Sequence, residues 1–260
     1  MKRMVHWNRL VHNELMKIFL RTRTSVFFII LLLAGFVMAF VCLFLQSVSG
    51  IKEDVWGFFL TNTFLLPVVE LFALIIAADA VSSEYAWGTM TYLWIRPVSR
   101  LKILLSKYAS VLLLLLAGVL LLAGTSALYG WVFFGSPVRG DSGMLLARAL
   151  VIYGCKWVEM VMMVTMAFAI SALTTKNSLS IGLTLFLYFT GYFWVELLRG
   201  FDVQWGKYLL FANVDLANYI FGGFPAFDGM TLGFSLVMLA VHYVLFIFLA
   251  WWGFARREVI

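Results

Sequence analysis

The sequence predicts an all-α, polytopic membrane protein with six transmembrane helices, and three observations carry that expectation. Of its 260 residues, 63% are hydrophobic and 12% charged, whereas a soluble domain carries about 25% charged residues. Its apolar runs persist for whole segments instead of alternating with polar residues at a period of 2 or 3.6. Several of them reach the roughly 20 residues that a helix needs to cross a bilayer core.

The first span is expected at about 25–46. A charged start followed by an apolar run is also how a signal peptide looks, but this run exceeds the roughly 15 residues of a signal h-region and has no small-residue cleavage pattern, so the segment is expected to be retained. The second span, about 55–79, is interrupted by Pro67 and Glu70. The third, about 107–134, lies but for Lys107 within 108–138, a run free of charge. The fourth, about 145–173, holds Arg148, Lys156 and Glu159, so its assignment rests on length and flanks more than on purity. The fifth and sixth follow at about 178–197 and 231–254, the last closed by Arg256 and Arg257. Together they form one transmembrane domain, 1–260, in which 1–24 is a cytoplasmic amphipathic segment.

Six spans put both termini on one side. Lys2, Arg3, Arg9, Lys17, Arg21 and Arg23 precede the first span, and Arg96, Arg100, Lys102 and Lys107 lie between the second and third; Lys176 and the tail add to the same side. Alternate loops hold Lys52, Arg139, Arg199 and Lys207. The positive-inside rule therefore makes both termini cytoplasmic. Because the net charge of +6 sits at the ends of apolar runs and not on a basic, aromatic-studded soluble face, no nucleic-acid partner is expected. Cys42 and Cys155 lie inside apolar runs and read as small buried hydrophobes, and His6, His12 and His242 are too scattered to assemble a metal site.

Within 4–20, Met4, Trp7, Val11, Leu15 and Ile18 recur at spacings of three and four, the pattern of an amphipathic helix lying in the membrane interface. Such a helix is either a basic anchor or a lever for a cytoplasmic partner. Glu14 falls close to the apolar line at about 100° per residue, so a charge partner is expected, such as Lys17 or a group on another chain.

Residues 82–107, SSEYAWGTMTYLWIRPVSRLKILLSK, are neither a polar loop nor a span. Ser82 or Ser83 can cap a short helix with Glu84 in its first turn, Gly88 loosens it, and Pro97 disfavours the helical conformation at Arg96. A second helix is expected from Ser99 into the third span. Met90, Tyr92, Leu93, Trp94 and Ile95 then form either a docking helix or part of an aromatic belt at headgroup depth.

NELMKIFLRTRTSVFFIILLL (13–33) and AADAVSSEYAWGTMTYLWIRPVSRLKILLSKY (77–108) resemble the membrane subunits of ABC-2-type ABC transporters. In those proteins an acidic residue, a Gly-Thr pair, a short apolar helix, Pro, Ser-Arg and a downstream Lys recur in this order after the second span; here they are Glu84, Gly88, Thr89, Pro97, Ser99, Arg100 and Lys107. The motif similarity covers roughly residues 10–110, and the six-span plan extends it along the chain. It implies a permease like that of a type V ABC exporter in the bacterial cytoplasmic membrane. The N-terminal piece would be an elbow helix, and Glu84, Trp87, Gly88, Thr89, Leu93, Trp94, Arg96, Pro97, Ser99 and Arg100 would belong to a coupling helix gripped by a cytoplasmic ABC ATPase. Short re-entrant helices would lie on the outer side within 199–230, and a second permease subunit, identical or not, would complete the pathway. ATP and Mg would bind the partner ATPase. No cofactor is expected on this chain: from Gly200 to Lys207 five residues separate the glycines instead of four and Tyr208 follows, which is not a phosphate loop.

Ionisable groups inside a span are costly and mark candidate functional positions. Glu70, Lys156 and Glu159 are the set here, with Tyr188 and Tyr192 of the ring-rich fifth span as companions on a possible transport path. Lys156 and Glu159, three apart, could instead neutralise one another on one helix face, or Glu70 could reach Lys156. The rings could equally be packing and interfacial belt. The expected function is export of a hydrophobic or amphipathic substrate such as a peptide, antibiotic or lipid-like molecule. The alternatives are a stand-alone ion- or proton-coupled transporter using Glu70, Lys156 and Glu159, and a non-transporting scaffold or sensor. No constellation of nucleophile, base and orienting group supports an intramembrane enzyme.

Overall fold

The computed structural model describes residues 7–50, 52–89, 98–135 and 142–256. Among them the order is α1 (Trp7–Phe19), α2 (Thr22–Ser49), α3 (Val55–Thr61), a 3₁₀ turn (Asn62–Leu65), α4 (Leu66–Asp79), α5 (Ser82–Ala86), α6 (Arg100–Phe134), α7 (Ser142–Leu173), α8 (Asn177–Gly200), a 3₁₀ turn (Gln204–Tyr208), α9 (Leu210–Asn213), α10 (Ala217–Ile220) and α11 (Leu232–Ala255). Six stretches are long and apolar enough to cross a membrane: Thr22–Ser49, Val55–Asp79, Arg100–Phe134, Gly143–Leu173, Asn177–Gly200 and Leu232–Ala255. They lie at all six expected places: the second matches to the residue, the third begins seven residues earlier, and the others differ by one to three residues at one or both ends.

Helix ends follow local chemistry. Asp54 caps α3 by accepting from the Gly57 amide at 2.9 Å, and Thr231 caps α11 by accepting from Phe234 at 3.2 Å. Gly50, with φ 69°, closes α2 by donating to the Gln46 carbonyl. The second span breaks at Asn62–Leu65 for a reason legible in the chain: an α-helical bond to the Thr63 carbonyl would come from residue 67, and Pro67 has no N–H. The Leu66 amide takes that carbonyl instead, in the tighter 3₁₀ pattern.

The chain divides into two compact units. One takes in the chain up to Met16, Ala73–Leu113 and the chain from Cys155 onward. In it the two-residue joint between α4 and α5 is held from α7: Ser171 Oγ accepts from the Val81 and Ser82 amides at 3.0 Å each. Ser180 Oγ of α8 donates to the Ala78 carbonyl at 2.7 Å. Ser171→Ala would strand two buried donors and is expected to cost about 1–3 kcal/mol, read as a lower midpoint of thermal unfolding of the detergent-solubilised chain. Between α8 and α11, the segment 201–231 folds back on a cluster of Val195, Ala212, Phe227 and Met230. Buried Asn213 holds its turn by donating to the Lys207 and Leu209 carbonyls at 2.8 Å each.

The other unit takes in Lys17–Phe72 and Leu114–Gly154. Small residues let its helices approach closely, as expected where lipid removes the hydrophobic drive between them. A Cβ on Gly118 would lie 2.8 Å from Val69 Cγ1, and one on Gly130 2.9 Å from the Val55 carbonyl oxygen. Phe27 and Phe72 stack with ring centres 3.8 Å apart, and Asn62 Nδ2 donates to Ser126 Oγ. Glu70 is buried in this unit at 1% exposure.

Candidate functional site

Three separate pieces of the first unit meet at one ionic group. α1 turns Leu10 and Val11 inward, and Glu14, one turn beyond Leu10, follows them. α6 starts at Arg100 and carries Lys107 two turns later. α5 carries Glu84 in its first turn. Lys107 Nζ lies 2.8 Å from Glu14 Oε2 and 2.8 Å from Glu84 Oε1, with the three side chains 3%, 13% and 12% exposed. Charges this enclosed lose several kcal/mol of hydration each, which only well-made charge-assisted hydrogen bonds offset.

The Gly-Thr pair has a local reason that the chain alone did not reveal. After Ala86 the Gly88 amide donates to the Tyr85 carbonyl at 3.1 Å and the Thr89 amide to the Glu84 carbonyl at 3.0 Å. Gly88 has φ 67°. This is a Schellman closure, in which the residue past the helix end must be left-handed and so favours glycine. The closure turns Thr89 back so that its hydroxyl donates to the Glu84 carboxylate. Glu84 is thus fixed by Lys107 on one side and Thr89 on the other.

One expectation is corrected here. Neither Ser82 nor Ser83 caps α5: Ser82 Oγ donates to the Ala78 carbonyl at 2.7 Å and Ser83 Oγ to the Asp79 carbonyl at 2.6 Å. With so short a joint the helical path nearly continues from α4, and the hydroxyls bond back four residues instead of forward. Glu14 meets a partner that the sequence did not single out, Lys107 of its own chain, because α1 lies against the start of α6.

Of the residues expected at a coupling helix, Glu84 is buried, Thr89 is half-buried and bound to it, and Trp87 is 63% exposed. Leu93, Trp94, Arg96 and Pro97 lie outside the described residues. Beyond them the Ser99 carbonyl accepts the Ile103 amide at 3.2 Å. Arg100 Nη1 donates to the Ala255 carbonyl at 2.8 Å, a cation serving the open C-terminal end of α11. Sequence reasoning missed Glu14 with Lys107 as a pair, although Glu14 on an apolar line was the signal for one.

A second polar group lies between α7 and α8. Lys156 Nζ is 2.7 Å from Glu159 Oε2, and the Tyr192 hydroxyl donates to Glu159 Oε1 at 2.7 Å. The i,i+3 neutralisation is therefore present, with Tyr192 added to it. The fourth span tolerates these groups because it is well enclosed, 72% of its apolar window being buried against 11% for the sixth. Tyr188 is half-buried and packs edge-on to Phe189, ring centres 5.3 Å apart. Among the described residues, no three or more His, Cys, Asp or Glu side chains are grouped to hold a metal.

Fold and site define an all-helical, multi-pass membrane protein with buried ion pairs tying its N-terminal helix to the ends of the second and third spans. The chain belongs to the family described as protein of unknown function (DUF2705), whose model matches residues 15–260. It is similar to two Bacillus subtilis (strain 168) proteins. One, the uncharacterized protein YhcI, is 37% identical over 224 residues, covering 81% of this chain and 71% of that protein. The other, the uncharacterized membrane protein YdbK, is 32% identical over 244 residues, covering 94% of this chain and 99% of that protein.

Proposed function

We propose that this chain is the permease subunit of an ATP-driven exporter of the ABC-2 type, set in the bacterial cytoplasmic membrane with both termini in the cytoplasm. One observation carries the reading. Three residues of the motif, Glu84, Thr89 and Lys107, are joined by hydrogen bonds in one buried group, Gly88 supplies the left-handed turn that brings Thr89 back to it, and Glu14 joins them. The stretch 90–97 is joined to the fold through Thr89 at one end and through the start of α6 at the other, so its flanks are tied together by Glu84–Lys107. A segment anchored at both ends and bearing Leu93 and Trp94 suits a partner that pushes on it.

In this reading α1 is the elbow helix, 90–97 is the coupling segment, and the short turns of 201–231 are the outer re-entrant elements. A second permease subunit completes the path, and ATP with Mg binds the separate ATPase. The cargo is hydrophobic or amphipathic, a peptide, antibiotic or lipid-like molecule passing near Lys156, Glu159 and Tyr192. The rival, an ion-coupled transporter, is favoured by that intramembrane group and requires transport by the purified chain in vesicles under an ion gradient without ATP.

The test is copurification. An ATPase with a phosphate loop is expected to be recovered with the tagged chain, and Leu93→Ala with Trp94→Ala to lower recovery about tenfold or more, since aromatic anchors at interfaces contribute upwards of 1 kcal/mol each. Equal recovery with the double variant would overturn the reading.

A further inference from the structure

Beside the Lys107 ion pairs an open groove of about 510 Å³ runs between α1 and α6. Trp7, Val11 and Leu15 form one wall and Ala109, Leu112 and Leu113 the other. Asn8 and His12 also line it, and exposed Arg9 comes next around the same helix. Its size falls within the ~300–1,000 Å³ of ligand pockets.

The groove follows from the ion pairs beside it. Glu14 fixes the distance of α1 from α6 through Lys107, on one side of α1. The neighbouring Trp7–Val11–Leu15 strip is left with a gap: Trp7 remains 39% exposed although it lines the groove. The lining is mostly apolar, and a hydrocarbon chain would fill the gap and remove both walls from contact with water or headgroups. An amphipathic helix beside a membrane span lies at headgroup depth, where the tail of a lipid turns into its phosphate. There the cation of Arg9 and the donors of Asn8 and His12 meet an anionic head, the charge that juxtamembrane basic groups attract.

We propose that this groove binds one acyl chain of an anionic phospholipid drawn from the surrounding leaflet, with its headgroup held by Arg9 and His12. The site stands whether or not the chain is a transporter, because it uses only α1, α6 and the ion pairs between them. Bound lipid wedges α1 against the turn of α6 that follows Lys107, so membrane composition bears on how firmly the N-terminal helix is seated.

The full chain, reconstituted in phosphatidylcholine nanodiscs, is irradiated with trace phosphatidylglycerol or trace phosphatidylcholine carrying a diazirine in the acyl chain, and adducts are mapped by mass spectrometry. Adducts are expected to concentrate on peptides holding Trp7–Leu15 and Ala109–Leu113, above those on the lipid-exposed first-span residues Ile29, Leu33 and Val37. The phosphatidylglycerol probe should exceed the phosphatidylcholine probe roughly fivefold, as one juxtamembrane cation allows, and Arg9→Gln should abolish that preference. Ala109→Trp, which fills the groove, should remove the groove adducts and spare the first-span ones. Competition by unlabelled phosphatidylglycerol on the unaltered chain gives the same reading without a variant. Labelling no denser than on the first span, equal labelling by both headgroups, or crosslinks from groove residues to a second copy of the chain would each overturn the proposal.

Discussion

Lys107→Met is expected to destabilise the protein by about 3–5 kcal/mol, the usual consequence of removing one partner from a buried ion pair. The cause is less the lost attraction than what remains: Glu14 and Glu84, 13% and 12% exposed, would stay enclosed without their shared cation. A fall in the amount of folded protein extracted from membranes and in its unfolding midpoint would measure this. Combining Lys107→Met with Glu14→Gln and Glu84→Gln removes the stranded charges together and should recover most of the loss. If the single variant melts like the parent, the ion pairs do not hold α1 and α5 to α6. Any effect of the triple variant on recovery of the ATPase proposed above, at restored stability, would then report on docking and not on folding.

Gly130→Leu is the second large effect. The third span meets α3 at this point, where even a methyl group would lie 2.9 Å from the Val55 carbonyl oxygen and 3.0 Å from Val55 Cγ2. The nearer obstacle is backbone, which cannot swing aside like the end of a side chain. Overpacking costs about 1–3 kcal/mol and more when the backbone must shift, and leucine adds three carbons to that methyl. At Gly124, on the same helix, a methyl group would meet nothing within 4 Å, so Gly124→Leu should leave the melting midpoint unchanged or raise it. Equal midpoints for the two variants would show that the helices do not approach as described.

The six spans were legible because a helix in lipid needs only a long uncharged run, and that is a property of neighbouring residues. The break in the second span was legible for the same reason, since Pro67 lacks an amide whatever surrounds it. Lys156 with Glu159 could be read from helical spacing alone. Tyr192 could not, because its bond to Glu159 joins residues 33 apart. Glu14 shows the boundary most clearly: periodicity placed it on the apolar side of a helix and so demanded a partner, but the partner is 93 residues away. Ser82 and Ser83 misled because a serine before an acidic turn looks like a cap, and only the shortness of the α4–α5 joint makes it bond backward.

α6 runs for 35 residues without a proline, about 52 Å at 1.5 Å per residue, while a hydrocarbon core is about 30 Å thick. The second span, by contrast, carries a 3₁₀ turn at Asn62–Leu65 and ends in a joint at Ala80–Val81. The two arms leaving the 90–97 stretch therefore differ in stiffness. One is an unbroken strut, along which a push on the coupling segment proposed above would arrive at Phe134 with little loss; the other is articulated where its hydrogen-bond ladder is interrupted.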